Sequence, residues 1–186
     1  MNARVFVSAW RGRVYRHTPA ITPFGPLDSG FAARTPDNRR NTAGEPILYF
    51  GSDFGVLVAE FGRHFRELRF VDIGEHTRDR RLYAVDLDLD RVFDLRKPEA
   101  AMHLELSDVP ACFLARSIAQ SAASLPRNGL GIQAVFVLSM ALHDDPSRWN
   151  LVLFIDQLGG SINDVVNSVS EMGTFRFEGP NELSRR

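Results

Sequence analysis

Three residues of this 186-residue sequence are of a type and in a setting that could support chemistry. Arg16 ends an aromatic and β-branched run, Val14-Tyr15-Arg16-His17. Arg39 stands in a long aperiodic stretch shortly before Tyr49, and Glu60 sits on the edge of an apolar helical stripe after Tyr49. A guanidinium is a planar fork that matches phosphate or carboxylate. A carboxylate held at an apolar edge can stabilise developing positive charge or accept hydrogen bonds from hydroxyls. Taken singly, each has a plain structural reading. A strand-end arginine is usually solvated or salt-bridged. Glu60 has Arg63 and His64 one turn away as ordinary partners. Their interest depends on whether folding brings them together.

Other chemistries lack local support. There is no G-x-G-x-x-G, no phosphate-binding P-loop and no G-x-S-x-G elbow. The histidines His17, His64, His76, His103 and His143 are scattered, with no i,i+4 pair, so no metal site is expected. The single cysteine, Cys112, rules out a disulfide framework and reads as an inert thiol on an apolar helix face. With 22 Lys plus Arg against 23 Asp plus Glu, the net charge of −1 provides no global drive towards nucleic acid or anionic membrane. Lys97 is the only lysine, so the chain is well supplied with arginine forks. No apolar run of about 18 residues and no signal-peptide pattern occurs, so a soluble cytoplasmic protein is expected.

The elements that must position these residues follow from periodicity. Val5 to His17 reads as one or two short strands. Thr18 to Glu45 carries Pro19, Pro23, Pro26, Pro36, Gly25, Gly30 and Gly44, and reads as a long functional loop. Pro46 to Phe50 is a buried strand. Ser52 reads as the N-cap of a helix over Asp53 to Leu68, with Phe54, Leu57, Val58, Phe61 and Phe65 on one face. Glu75 to Arg81 is a charged turn. Leu82 to Leu89 alternates Tyr83, Val85, Leu87 and Leu89 against Asp86 and Asp88, a half-buried strand that Val92 to Leu95 extends. Pro98 to Leu106 reads as a short helix. Pro110 to Leu125 reads as a long one, with Phe113, Leu114, Ile118 and Ala122 inward and Pro126 closing it. Strands are expected at Ala134 to Leu138, Leu151 to Ile155 and Met172 to Phe177, and a helix at Ser161 to Val169. Without strict strand–helix alternation this is a single α+β domain, a mixed sheet with flanking helices.

The order of motifs resembles that of the RES domain, a family named for its Arg, Glu and Ser. Tyr49-Phe50-Gly51-Ser52-Asp53 leads into Val56-Leu57-Val58-Ala59-Glu60, preceded by Asn38-Arg39-Arg40-Asn41 and Gly44-Glu45-Pro46. The stretch from Ala134 to Ser139 is similar to the strand that carries the family serine. Trp149-Asn150 resembles its Trp-Asn strand, and Phe175-Arg176-Phe177 its closing strand. The match spans Tyr15 to about Gly179. Three positions depart from it: the family Gly-Arg-Trp is Asn38-Arg39-Arg40 here, without its glycine and tryptophan, and a frequent tyrosine is His17. Arg34, Arg39 and Arg40 are all candidates for the loop arginine.

The resemblance implies a fold similar to ADP-ribosyltransferase toxins, and the toxin of a toxin–antitoxin pair neutralised by an Xre-type antitoxin. It implies cleavage of the nicotinamide–ribose bond of NAD by phosphorolysis or hydrolysis. The alternatives are protein ADP-ribosylation and an inactive domain that binds a nucleotide or a partner. NAD is then substrate, with inorganic phosphate a candidate co-substrate and no prosthetic group. Glu60 would stabilise an oxocarbenium-like transition state, and Arg16 and Arg39 would grip pyrophosphate or phosphate. Tyr49 would stack on nicotinamide or ribose, Ser139 and Asn150 would orient the ligand, and His17 would bond a phosphate or merely cap its strand.

Overall fold

In a computed structural model, residues 3–30, 40, 44–67, 79–179 and 182–185 are described. Among the described residues, seven strands form one sheet. They are β1 (Val7–Pro19), β2 (Ile47–Gly51), β3 (Arg80–Asp94), β4 (Ala134–Leu138), β5 (Trp149–Phe154), β6 (Val166–Gly179) and β7 (Glu182–Arg185). Helix α1 (Phe54–Glu67) follows β2, while α2 (Pro98–His103) and α3 (Arg116–Leu130) lie between β3 and β4. The strand order is β1-β2-β5-β4-β3-β6-β7, and β1 also pairs with β3, so β1, β2, β5, β4 and β3 close into a ring. The β3–β4 pair is parallel, whereas the others are antiparallel.

Ring closure rests on the length of β3. One edge of this 15-residue strand pairs with β1 from Phe93 to Arg80. Its other edge is divided, with Arg80 to Leu87 on β6 and Val92 to Asp94 on β4. Period-2 alternation directs Val85, Leu87 and Leu89 inward with Val14, Leu48, Phe50, Phe136, Leu151 and Leu153. This cluster draws on all five ring strands and fills the ring. On the far face Asp86 and Asp88 pair with Arg13 and Arg11 of β1. A second cluster covers the other face of β2, β4 and β5, where Ile47, Val135, Val137, Val152 and Phe154 pack under Phe113 and the α3 residues Ala119, Ala122 and Ala123. Burial on both faces explains the continuous apolar runs of β4 and β5.

The α+β class and mixed sheet agree with expectation, but several elements differ. A 3-10 turn, Ala3–Phe6, takes the first residues of the expected strand, and β1 then runs unbroken to Pro19 with a bulge between Ser8 and Trp10, so the long loop begins two residues later than expected. Residues 31–39 and 41–43 of that loop lie outside the described residues, as does the charged turn up to residue 78; Arg80 and Arg81 already belong to β3. The cap of α1 is Asp53, not Ser52. Asp53 Oδ1 accepts the Val56 amide at 3.0 Å, and the Ser52 hydroxyl donates to Asp53 Oδ2. The expected helix over Pro110 to Leu125 is two pieces, a 3-10 turn Ala111–Leu114 and α3, separated by extended Ala115. The break resets the helical phase, which leaves Leu114 and Ile118 exposed while Phe113 and Ala122 are buried. Pro126 lies inside α3 rather than ending it. The next residue, Arg127, holds the last turn by ion pairs to Glu45 and Asp156, and Gly131 closes it in the left-handed region. Cys112 falls on the 3-10 turn, half-buried, and burial raises its thiol pKa.

The expected helix over Ser161 to Val169 is a 3-10 turn followed by the first residues of β6. Ser161 and Asp164 do form a capping box, a genuine start signal. Edge pairing with β3 overrides its continuation, because β-branched Val166 and Val169 suit a pleated strand. The closing strand therefore starts earlier than Met172 and turns back into β7. Removing the α1 cap by Asp53→Ala is expected to cost about 1 kcal/mol, read as a lower denaturant midpoint with an unchanged slope.

Candidate functional site

Glu60 is placed by the apolar face of α1. Phe54, Val58 and Phe61 pack on Phe175 and Leu82, fixing the helix against β3 and β6. Glu60, the residue before Phe61, directs its carboxylate towards the end of β4 and the start of β5. Register does the rest: Asn150 stands opposite Val137 of β4 and Gly51 of β2, so Asn150, Ser139 and Tyr49 share one face of the sheet. That is the face covered by α2 and α3.

The contacts at Glu60 are dense. Its Oε1 accepts the Ser139 hydroxyl at 2.7 Å, the Met140 amide at 2.7 Å, the Ala141 amide at 3.2 Å and the Asn150 side-chain amide at 3.2 Å. Its Oε2 accepts both Nε and Nη2 of Arg63, at 3.0 and 2.8 Å. Burial pushes the Glu60 carboxyl up, but the Arg63 charge and the donors from Ser139, Arg63 and the Ala141 amide outweigh it. The net shift is below the usual carboxylate range. Glu60 is therefore an ionised, immobilised carboxylate. Arg63, one of the ordinary partners foreseen for it, is present as well as the site contacts.

Tyr49 lies at the other side of the same face. Its hydroxyl accepts the Arg40 amide at 3.2 Å, and burial raises its pKa so that it stays neutral. The Arg40 side chain is only 4% exposed; its guanidinium lies 4.1 Å from the centre of the Phe113 ring and donates to the Ala119 carbonyl. Among the three loop arginines, Arg40 thus anchors the loop to α3, and Arg34 and Arg39 lie outside the described residues.

Arg16 and His17 part company. Arg16 stands opposite Tyr83 and His17 opposite Leu82, so they occupy opposite faces of β1. His17 joins the α1 side, edge-on to Phe61 at 4.9 Å and to Phe175 at 5.7 Å. Its Nδ1 accepts from Arg80 Nε at 2.7 Å, which puts the imidazole proton on Nε2. Burial, then the charges of Arg80 and Arg16, drive its pKa far down, so it is a neutral donor. Arg16 lies near the Phe50 ring and donates to the Asp28 carbonyl at 3.3 Å, while its buried Nε meets no partner among the described residues. Burial lowers its pKa to about 10, still cationic at neutral pH. The fold thus unites Glu60, Ser139 and Asn150 in direct contact and sets Tyr49 on their face. It keeps Arg16 across the strand.

Sequence reading missed the Met140 and Ala141 amides, Arg80 and Arg127. Backbone donors carry no side-chain signature. Arg127 follows a proline in a sequence that reads as a helix end, so nothing marked it as a buried tie between the loop residue Glu45 and Asp156. Among the described residues no group of three His, Cys, Asp or Glu side chains is placed to hold a metal, and no helix is long and apolar enough to cross a membrane.

The sequence profile of the RES domain matches residues 9–170, and the chain belongs to that family. The fold is similar to one in the crystal structure of the M. tuberculosis MbcT–MbcA toxin–antitoxin complex. The TM-score is 0.69 at 20% identity, covering 89% of this chain and 86% of that one. No curated protein matches the chain.

Because the Glu60 pKa is depressed on folding, its contribution to stability is fully present above the ordinary carboxylate range. It is lost as the pH falls through the lower folded value. Stability of Glu60→Gln is therefore expected to fall less between pH 6 and the acid limit than that of the parent protein, measured as denaturant midpoint against pH (about pH 4.3 marks the unperturbed group).

Proposed function

We propose that this chain is the toxin of a toxin–antitoxin pair and that it degrades NAD by cleaving the nicotinamide–ribose bond. The observation that carries the reading is Glu60, an ionised carboxylate pinned by Ser139, Asn150 and two backbone amides within a RES domain.

The chemistry suits such a group. In NAD the nicotinamide nitrogen is cationic. When the C1′–N bond breaks, its electron pair returns to that nitrogen and nicotinamide leaves neutral, so no general acid is needed. Positive charge moves onto the ribose, as in other glycosidic cleavages. An anion fixed beside the ring stabilises that charge without reorganising, and with four donors on Oε1 Glu60 acts as a charge rather than a base. Water or phosphate then bonds to C1′; water gives up a proton to solvent, and a phosphate dianion needs to give up none.

Ser139 and Asn150 orient the carboxylate, and through it the ribose. Tyr49 offers a neutral aromatic wall. Arg39, from the loop that Arg40 and Glu45 tether, is proposed to grip a ligand phosphate, and His17 to donate through Nε2. Arg16, cationic and with an Nε unpartnered among the described residues, serves the same anion only from its own face of β1. The preserved Glu60 contacts favour an active enzyme over a degenerate binding domain despite the altered Asn38-Arg39-Arg40 motif. The partner is proposed to be an Xre-type antitoxin, in keeping with the family and with the complex that holds the similar structure. NAD in the cytoplasm would be the target.

Purified protein incubated with NAD, with and without inorganic phosphate, tests the reading by chromatography and mass. Nicotinamide with a phosphorylated ADP-ribose means phosphorolysis, and nicotinamide with plain ADP-ribose means hydrolysis. Label appearing on lysate protein would mean ADP-ribosyl transfer instead, and intact NAD would overturn the enzyme assignment. Glu60→Ala is expected to lower kcat by about a hundredfold or more while the circular dichroism spectrum is retained.

A further inference from the structure

Arg63 sits on the carboxylate that the proposed chemistry needs exposed. The two oxygens of Glu60 are treated differently. Oε1 is held by four neutral donors from the end of β4, the turn after it and β5. Those contacts alone fix the orientation of the carboxylate. Among the described residues, Oε2 meets only Arg63, whose Nε and Nη2 converge on that single oxygen instead of spanning both. This arrangement forgoes the two-oxygen fork that makes arginine–carboxylate pairs strong. Both side chains are 18% exposed, so solvent reaches the pair. Arg63 is one helical turn from Glu60, and its long side chain can change rotamer without moving α1.

We infer that Arg63 is a displaceable internal counter-ion, which covers Glu60 Oε2 in the free protein and yields that oxygen to a ribose hydroxyl of the ligand. The identity of the ligand rests on the NAD reading above. In the free protein the pair is neutral, so the site presents no bare anion. A ribose hydroxyl donating to Oε2 replaces a cation by a neutral donor. The full negative charge of Glu60 then faces the sugar where positive charge develops. Ligand binding and unmasking of the carboxylate become one event, and Arg63 sets the cost of binding.

Arg63→Gln and Arg63→Lys test this by calorimetry with ADP-ribose, which carries the ribose hydroxyls but cannot react. Arg63→Gln is expected to bind about fivefold more tightly than the parent protein, with Arg63→Lys in between. Loss of the guanidinium charge also lets the Glu60 carboxyl rise, so the acid limb of kcat/KM for NAD moves to higher pH, which a merely structural arginine would not cause. Equal or weaker ADP-ribose binding by Arg63→Gln, an unmoved acid limb, or no binding by any form would overturn the inference. If Arg63→Gln does not fold, the lysine variant decides by the same readout. NAD left intact by the parent protein, with tighter ADP-ribose binding by Arg63→Gln, would sink the enzymatic reading alone. NAD turnover with weaker binding would sink only the role of Arg63.

Discussion

A carboxylate removed from water costs several kcal/mol unless its lone pairs are met, and the rest of this structure can be understood from how that requirement is satisfied at Glu60. The donors come from places far apart in the chain: α1 itself, the β4 end at Ser139, the turn at Met140 and Ala141, and β5 at Asn150. Each must arrive within hydrogen-bond distance at once. A half-satisfied arrangement would be worse than an apolar one, so the contact ties the position of α1 to the register of β4 against β5.

The closed ring is what makes such register dependable. A strand slipped by one residue would turn Asn150 into the ring and Leu151 out of it. The apolar filling on both faces of β4 and β5 forbids that slip. The same outer face receives the tethered end of the loop, through Arg40 against Phe113 and through Glu45 on Arg127. Buried cations in those places are held by aromatic rings, carbonyls and carboxylates, so Arg40 and Glu45 are tied to a fixed base.

Much of this architecture was legible in advance. Period-2 alternation placed β3, and the short apolar runs placed β2, β4 and β5, because strands buried on two faces have little other way to read. The apolar stripe placed α1 and put Glu60 on its edge. Legibility failed where local signals conflicted with tertiary ones. The capping box at Ser161 and Asp164 announces a helix that edge pairing with β3 turns into β6. Pro126 announces an end that α3 passes, and Ala115 breaks a stripe that seemed continuous, so Leu114 and Ile118 face outward.

The site divides in the same way. Sequence alone determined which residues could matter, because residue type sets the chemistry available: Glu60 as an anion, Ser139 and Asn150 as neutral donors, and Arg16 as a cation. It also determined the family to which the chain belongs, because motif order survives in the linear text. Only the tertiary structure decided the company each one keeps. It set Glu60 against Ser139 and Asn150, gave Oε2 to Arg63, made His17 neutral by burial beside Arg80, and turned Arg16 to the other face of β1. Burial, register and backbone amides control those outcomes, and they exist only once distant segments meet.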